Sequence, residues 1–455
     1  MELRAAARRH IPAGAGLTED NGPRVPSGVT ILTIKGGPRT VRKKNCFRLV
    51  ILFLLGSATA EFTDSFAAQP APAARFEQDR FAIGAFWAIF PDDADLDARF
   101  GEIADANFTL VFGPIRGCSP QRLVELCGRH GMAAIVYAHS GSVADLPAGD
   151  ACWGYRLFDE PSSTIFPQLR ERVAAIRQAR PDKLAYINLY PNYANSKQLG
   201  VATYEEHVAR FVSQVQPDVL CMDHYPIFKP AGDSRDRYCR NLETMRVHSV
   251  KAGIPFWNYF NTAPFGPHTD PTEDQIRWQV YTSIAYGAKG VAYFTYGTPD
   301  TFEFPKGSAI LQRDGSRTRH WYQARRINAR IKKLGPTLMQ LRSTGVYRVK
   351  PGDDPADALR ATPIRTISHA EVDPPNDYLV GVFRHADGRR AVMLNNYRFA
   401  YTAWPTVEFN AASDQVLEID QRSGQEIPLR DDSPKMPGLQ ISLDAGEGRL
   451  FLLAE

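Results

Sequence analysis

The chain has 455 residues, a length that predicts two domains together with a targeting segment. Hydrophobic residues make up 44% and charged residues 23% of the sequence, which is ordinary for a soluble globular protein. The formal net charge is +4, but many basic residues precede residue 50 in a segment that we expect to be removed, so no basic stripe remains and a nucleic-acid partner is disfavoured.

A basic stretch followed by an apolar one distinguishes the N-terminal segment. Residues 41–48 carry several lysines and arginines, residues 49–55 are apolar, and small residues follow within 58–60 and 66–68. This order is typical of a signal peptide, which we place at about residues 41–68 in a leader and linker covering residues 1–75. The apolar run is shorter than the ~20 residues of a membrane span, so we expect an exported protein, periplasmic or extracellular, without a stable membrane span. The alternative is a short buried strand.

Short apolar runs alternate with amphipathic stretches from residue 81 onwards. The runs are residues 81–90, 108–113, 133–138, 154–158, 184–189, 219–222, 255–260 and 290–295. The predicted helices are residues 119–130, 166–180, 204–215, 241–252, 272–286 and 320–341. Continuous apolar runs suit strands that are buried on both faces. Eight such units predict a (β/α)8 barrel, a TIM barrel of the α/β class, over residues 76–342. A doubly wound sheet would require a glycine-rich phosphate turn after its first strand, and none is present.

The pattern changes after the last predicted barrel helix. Short alternating runs separated by turns occupy residues 378–383, 391–395, 406–409, 415–419, 439–443 and 449–453. This spacing predicts a small antiparallel β-sandwich over residues 343–455.

Acidic residues stand where two predicted barrel strands end, the place at which such barrels carry their chemistry. Asp159 and Glu160 follow the fourth strand, and Asp223 follows the sixth. We interpret all three as catalytic candidates. The alternatives are a helix N-cap with Pro161 in the first turn, for the first pair, and a structural partner of His224 or of an arginine, for Asp223.

Aromatic and polar residues at the strand ends complete the predicted site. The candidates for substrate binding are Trp87, His139, Tyr190, Asn192, His224, Tyr225, Trp257, Tyr259 and Tyr296. The set contains no metal cluster, no nucleophilic Ser or Cys with a base, and no phosphate loop, and the six cysteines show no zinc-type spacing, so we expect no metal and no cofactor. Aromatic rings stack on sugar rings and paired carboxylates act at the anomeric carbon, so the set predicts a carbohydrate substrate.

Several segments carry a resemblance to a known class of proteins. They are residues 154–161 (GYRLFDEP), 186–192 (YINLYPN), 222–226 (MDHYP), 254–257 (IPFW) and 286–296 (YGAKGVAYFTY). Over roughly residues 80–455 the chain resembles bacterial exported glycoside hydrolases of the retaining, clan A-like, β-galactosidase-like type, which have a barrel and a small C-terminal sandwich. The resemblance implies that Glu160 is the acid/base at the end of strand four, with Asp159 in place of the usual Asn.

The seventh strand departs from that class, which has a nucleophilic Glu at its end. Residues 255–262 read PFWNYFNT and contain no acid. Either Asp223 supplies the second carboxylate, or Asp159 and Glu160 act as in hexosaminidase-type enzymes, where the 2-acetamido oxygen of the substrate attacks. A non-catalytic carbohydrate-binding barrel and a polysaccharide lyase with a Tyr or His base are the remaining alternatives.

Overall fold

A computed structural model of the chain describes residues 75–138, 142–229, 233–304, 309–369, 375–431 and 435–454. The predicted leader and signal peptide and the candidate residue His139 lie outside these ranges. Within them, no helix combines the length and the apolar character needed to cross a membrane.

Eight parallel strands form the first sheet. They are β1 (Ala82–Ala85), β2 (Leu110–Phe112), β3 (Ala133–Tyr137), β4 (Cys152–Asp159), β5 (Leu184–Asn188), β6 (Leu220–Asp223), β7 (Phe256–Asn261) and β8 (Gly290–Phe294). Each strand pairs with its neighbours in sequence, and β1 pairs with β8. The remaining two edges, β5 and β6, are joined by a parallel bridge between Leu189 and Met222, with the Leu189 amide donating to the Cys221 carbonyl at 2.8 Å. The predicted barrel is confirmed.

Helices follow most of these strands and pack around them. They are α1 (Leu96–Asp105), α2 (Pro120–Arg129), α3 (Phe166–Ala179), α4 (Ser196–Leu199), α5 (Tyr204–Val215), α6 (Arg235–Ala252), α7 (Glu273–Ala285) and α8 (Arg319–Gln340). Side-chain caps fix their starts: Ser119 accepts from the Arg122 amide before α2, and Thr272 and Gln275 form a capping box before α7. The first turns of α6 and all of α1 are not among the helices predicted from the sequence.

Aromatic side chains fill the interior of the barrel. The Phe112 ring lies 5.3 Å from the Tyr186 ring and 5.6 Å from the Tyr259 ring, and the Phe86 ring lies 5.0 Å from Tyr259. The Tyr186 hydroxyl donates to the Tyr259 hydroxyl at 2.9 Å, so two buried polar groups satisfy each other. This layer forms a solid floor beneath the ends of the strands, where the site residues lie.

Two antiparallel sheets follow the barrel, as predicted for a sandwich. Their strands are β9 (Leu341–Val349), β10 (Ile364–Ser368), β11 (Tyr378–His385), β12 (Arg390–Asn396), β13 (Thr406–Phe409), β14 (Val416–Ile419), β15 (Glu426–Pro428), β16 (Leu439–Gln440) and β17 (Gly448–Leu453), with a short helix α9 (Pro355–Ala358). One sheet has the order β15-β14-β17-β12-β11-β9 and the other β10-β13-β16. The first packs on the barrel, where Asn395 donates to the Tyr281 carbonyl of α7 at 2.8 Å.

The close approach of β4 and β5 makes Gly154 a critical position. A Cβ atom added there would overlap the backbone carbonyl of Leu184. Because neither buried strand has room to move, we expect Gly154→Ala to lower the free energy of unfolding by at least about 2 kcal/mol. Gly101→Ala in α1 is the matched control: its Cβ would lie 3.4 Å from the His130 ring, and Ala is preferred over Gly in a helix by roughly 0.5–1 kcal/mol. Urea denaturation compares the two, and equal stability would contradict the prediction.

Candidate active site

A register irregularity in β4 turns Asp159 into the barrel. Arg156 pairs with Tyr186 of β5, and Asp159 pairs with Asn188, with a shift of register between residues 156 and 158. Without this bulge, residues 156 and 159 would face opposite sides of the strand, since side chains alternate. The extra residue brings both to the interior face, where an Arg156 nitrogen lies 3.5 Å from an Asp159 oxygen.

The side-chain amide of Asn188 connects two of the predicted catalytic acids. Its nitrogen donates to Asp223 at 2.9 Å and to Asp159 at 3.2 Å. Asn188 and Asp223 are buried, whereas the Asp159 side chain is 42% exposed. Because both oxygens bond the same nitrogen, the two carboxylates converge at the ends of β4, β5 and β6.

Glu160 has a backbone conformation that is rare for its residue type. Its φ is +51°, in the left-handed region, while its amide still donates to the Asn188 carbonyl at 2.8 Å. Among the described non-glycine residues only Trp87, Asn107 and Gln216 share a positive φ. Such a conformation costs on the order of 1–3 kcal/mol and occurs often at functional sites. It also breaks the strand alternation that would otherwise send Asp159 and Glu160 to opposite faces.

The pKa values of two tyrosines reflect the negative charges of the three acids. Burial raises the pKa of Tyr193 well above its ordinary value, and the negative charges of Asp223 and Glu160 raise it further. The pKa of Tyr225 is raised in the same way, by burial and then by Asp223, with contributions from Asp159 and Glu160. Glu160 and Asp223 therefore act electrostatically on the same two hydroxyl groups.

Arg156 supplies a positive charge inside the barrel. It is 8% exposed, and its guanidinium lies 5.0 Å from the centre of the Phe86 ring and 5.5 Å from that of Tyr137. Stacking of this kind compensates part of the cost of burying the cation. Its ion pair with Asp159 offsets one of the three acidic charges in the site.

A group of aromatic rings surrounds the site on the side of β1 and β8. The Phe294 ring lies 4.9 Å from Tyr225 and 5.3 Å from Trp87. Phe265 and His268 pack against the Tyr225 ring at 5.2 and 5.8 Å. Burial lowers the pKa of His268 to about 4, so its ring is neutral at pH 7 and the wall remains apolar.

Three candidates for substrate binding lie away from the site. His224 points toward α6, where it bonds Asn241 at 3.0 Å and burial lowers its pKa to about 3. Trp257 lies near the start of β7 and donates to Gln78 at 2.9 Å. Tyr296 packs outside the barrel against Phe108 at 5.5 Å. We withdraw these three assignments, because their partners lie on α6, at Gln78 beside the start of β7 and outside the barrel, away from the strand ends where the acids lie.

The remaining candidates are divided between the site and its support. Trp87 and Tyr225 belong to the aromatic wall, and Tyr259 belongs to the floor. Asn192 bonds Arg237 and Asn241 of α6, and the Tyr190 ring faces His207 of α5 at 6.4 Å, so both lie on the helix side.

Sequence reasoning missed several residues that the fold brings to the site. They are Tyr137, Arg156, Asn188 and Phe294. One signal was present: an arginine and an asparagine inside otherwise apolar strands require a buried partner. The bulge that places Arg156 next to Asp159 left no mark in the sequence.

No family model matches this chain, and no curated protein matches it. Solved structures similar to it include a family 39 glycoside hydrolase from Bacteroides cellulosilyticus, with 14% identity, a TM-score of 0.45 and coverage of 82% of this chain and 80% of that one. A β-galactosidase from Bacillus circulans has 10% identity, a TM-score of 0.48 and coverage of 82% and 99%. A glucosidase from Croceicoccus marinus has 12% identity, a TM-score of 0.43 and coverage of 83% and 96%. At these values the matches carry no argument about activity, which rests on the site.

Because Glu160 has a positive φ, we expect glycine to be more stable than alanine at this position. Both Glu160→Gly and Glu160→Ala remove the carboxylate, but only Ala retains the Cβ that disfavours a positive φ. We expect the Gly variant to be more stable than the Ala variant by about 1 kcal/mol in urea denaturation. An Ala variant as stable as the Gly variant would show that the backbone at Glu160 is not strained.

The shared amide of Asn188 predicts energetic coupling with Asp223. We expect a double-mutant cycle with Asn188→Ala and Asp223→Ala to give a coupling of at least about 1 kcal/mol in the free energy of unfolding. The matched control pairs Asn188→Ala with Asp97→Ala, which removes an exposed acid on α1 and should be additive. Additive effects in both cycles would contradict the bridging role.

Proposed function

We propose that this protein is a glycoside hydrolase that cleaves O-glycosidic bonds of an oligo- or polysaccharide, with Glu160 as the general acid. The observation that carries the proposal is the convergence of three carboxylates at the ends of β4 and β6, one of them on a strained backbone. The predicted signal peptide at about residues 41–68 supports an exported enzyme, which would meet such substrates outside the cell.

The chemistry of glycoside cleavage matches this arrangement. Glu160 donates its proton to the glycosidic oxygen, the bond from that oxygen to the anomeric carbon breaks, and the alcohol leaves. The second carboxylate either forms a bond to the anomeric carbon or removes a proton from the water that does so. In the aromatic wall, the partly exposed rings of Trp87 and Phe294 offer apolar surface to a sugar, and the buried Tyr225 supports Phe294.

Asp223 suits the part of the second carboxylate better than Asp159. Asp159 contacts both Arg156 and Asn188, so its carboxylate oxygens already have partners. Asp223 is buried next to Tyr193 and Tyr225 and is oriented by Asn188. In this assignment Asp159 orients the substrate.

One observation favours a second candidate, a hexosaminidase-like mechanism. The bulge in β4 turns Asp159 to the interior next to Glu160, the pair that orients an acetamido group and donates the proton when the substrate provides its own nucleophile. In that case only 2-acetamido sugars would be cleaved, and Asp159 would be more important than Asp223.

Kinetics on substrates with good and poor leaving groups test these roles. We expect Glu160→Gln to lose about 10²–10⁴-fold in kcat on natural glycans, because a poor leaving group needs a proton. The loss should be much smaller on activated aryl glycosides, which need little protonation. Asp223→Asn should abolish turnover on both kinds of substrate.

Glu125→Gln, an exposed glutamate on α2, is the control and should retain full activity. Greater damage from Asp159→Asn than from Asp223→Asn, with cleavage restricted to 2-acetamido sugars, would favour the second candidate. Full activity of Glu160→Gln on a natural glycan would overturn the assignment, and binding without cleavage by the wild type would favour a non-catalytic carbohydrate-binding barrel.

A further inference from the structure

Asn261 lies at the end of β7 and faces the interior of the barrel. On the same strand Tyr259 belongs to the interior floor, and Phe260 packs outside against Tyr293 at 4.6 Å. Side chains alternate along a strand, so Asn261 points inward again, next to its β8 partner Phe294. It occupies the strand end at which the sequence contains no acid.

The protein fixes the backbone of Asn261 and leaves its side chain without partners. Gln279 of α7 accepts from the Asn261 amide and donates to its carbonyl, both at 3.2 Å. The side chain is fully buried. Within the described ranges, Asn261 is the only Asn or Gln in which both side-chain polar atoms are buried without a hydrogen-bond partner. Each such atom costs about 1–3 kcal/mol, a cost that binding of a ligand would remove.

The surroundings of Asn261 connect it to the catalytic acids. Its neighbour Phe294 contacts the Tyr225 ring at 4.9 Å, and Tyr225 lies within the electrostatic influence of Asp223, Asp159 and Glu160. Asn261 therefore belongs to the same strand-end region as the three acids.

The chemistry of a primary amide defines what it can bind. Its nitrogen donates and its oxygen accepts, so it needs a ligand that offers both an acceptor and a donor. A carboxylate or phosphate offers acceptors alone and would leave the Asn261 oxygen unpaired. Two adjacent hydroxyl groups of a sugar provide both in one plane.

We propose that Asn261 binds two adjacent hydroxyl groups of the sugar unit next to the scissile bond, and thereby selects glycosides in which both are free. This inference rests on the proposed function and names a specificity residue for it. A site built to hydrogen-bond a hydroxyl strongly rejects the analogue that lacks it, because the buried amide then stays unpaired.

Binding measurements in the full chain test the inference without turnover. Calorimetry on the Glu160→Gln protein, with and without Asn261→Ala, would use 4-nitrophenyl glucoside and galactoside and their 2-, 3- and 4-deoxy analogues. We expect Asn261→Ala to weaken binding of a parent glycoside by about 10–100-fold. The deoxy analogues that lack a bound hydroxyl should lose much less.

Asn258→Ala is the matched control, an amide on the same strand that faces outward and donates to Tyr238 at 2.8 Å. It should leave all affinities unchanged. Asn261→Leu is the second variant, because it keeps the branched shape of the side chain and removes the unpaired amide. We expect its melting temperature without sugar to equal or exceed that of the parent protein, whereas a purely structural amide would make it fall.

If Asn261→Ala weakens the binding of parent and deoxy glycosides equally, or does not weaken it at all, the inference is overturned. Asn261 would then bind a buried water or have a structural role only. Failure of every probe to bind would overturn it as well. The proposed hydrolysis and the proposed role of Asn261 can fail separately. A wild-type protein that binds the glycosides in the expected pattern but cleaves none of them refutes hydrolysis alone. Cleavage that is unaffected by Asn261→Ala refutes the inference alone.

Discussion

The hydrogen bonds from the Asn188 amide to Asp159 and Asp223 are the interaction on which the site depends. They join residues from three strands, and they require β5 and β6 to lie side by side. The parallel bridge between Leu189, which follows Asn188, and Met222, which precedes Asp223, holds these two strands side by side. Closure of the barrel and assembly of the acids are thus the same event, because an open edge at β5 would separate Asn188 from Asp223.

Bringing three acids together carries an electrostatic cost that the surroundings partly offset. Arg156 sits under the strand ends with its charge directed at Asp159, and the rings of Phe86 and Tyr137 accommodate it. The tyrosines nearby remain protonated, since burial and the acidic charges both raise their pKa values. Burial likewise lowers the pKa of His268 to about 4, so this ring adds no positive charge to the site at pH 7.

Stability and chemistry are opposed at Glu160 and Asn261. The first has a backbone conformation that its side chain disfavours, and the second buries an amide without partners in the described part of the chain. Both lie at strand ends above a floor of packed rings, where the rest of the barrel is stable enough to tolerate them. Packing does not explain either feature. In our proposals, the reaction at Glu160 and the ligand at Asn261 compensate for the stability that is lost.

The sequence by itself determined the order of the elements, the barrel and the sandwich, because apolar periodicity and turn residues are local properties. It also made Glu160, Asp159 and Asp223 catalytic candidates, since acids that follow buried strands are conspicuous. Tertiary structure alone decided which way the strand-end residues face. The bulge in β4 turned Asp159 inward, the alternation on β6 sent His224 outward, and the depth of Trp257 in the barrel removed it from the site. The part played by Asn188 became visible only when closure placed strands that are distant in sequence next to one another, because a side chain acquires a partner only in three dimensions.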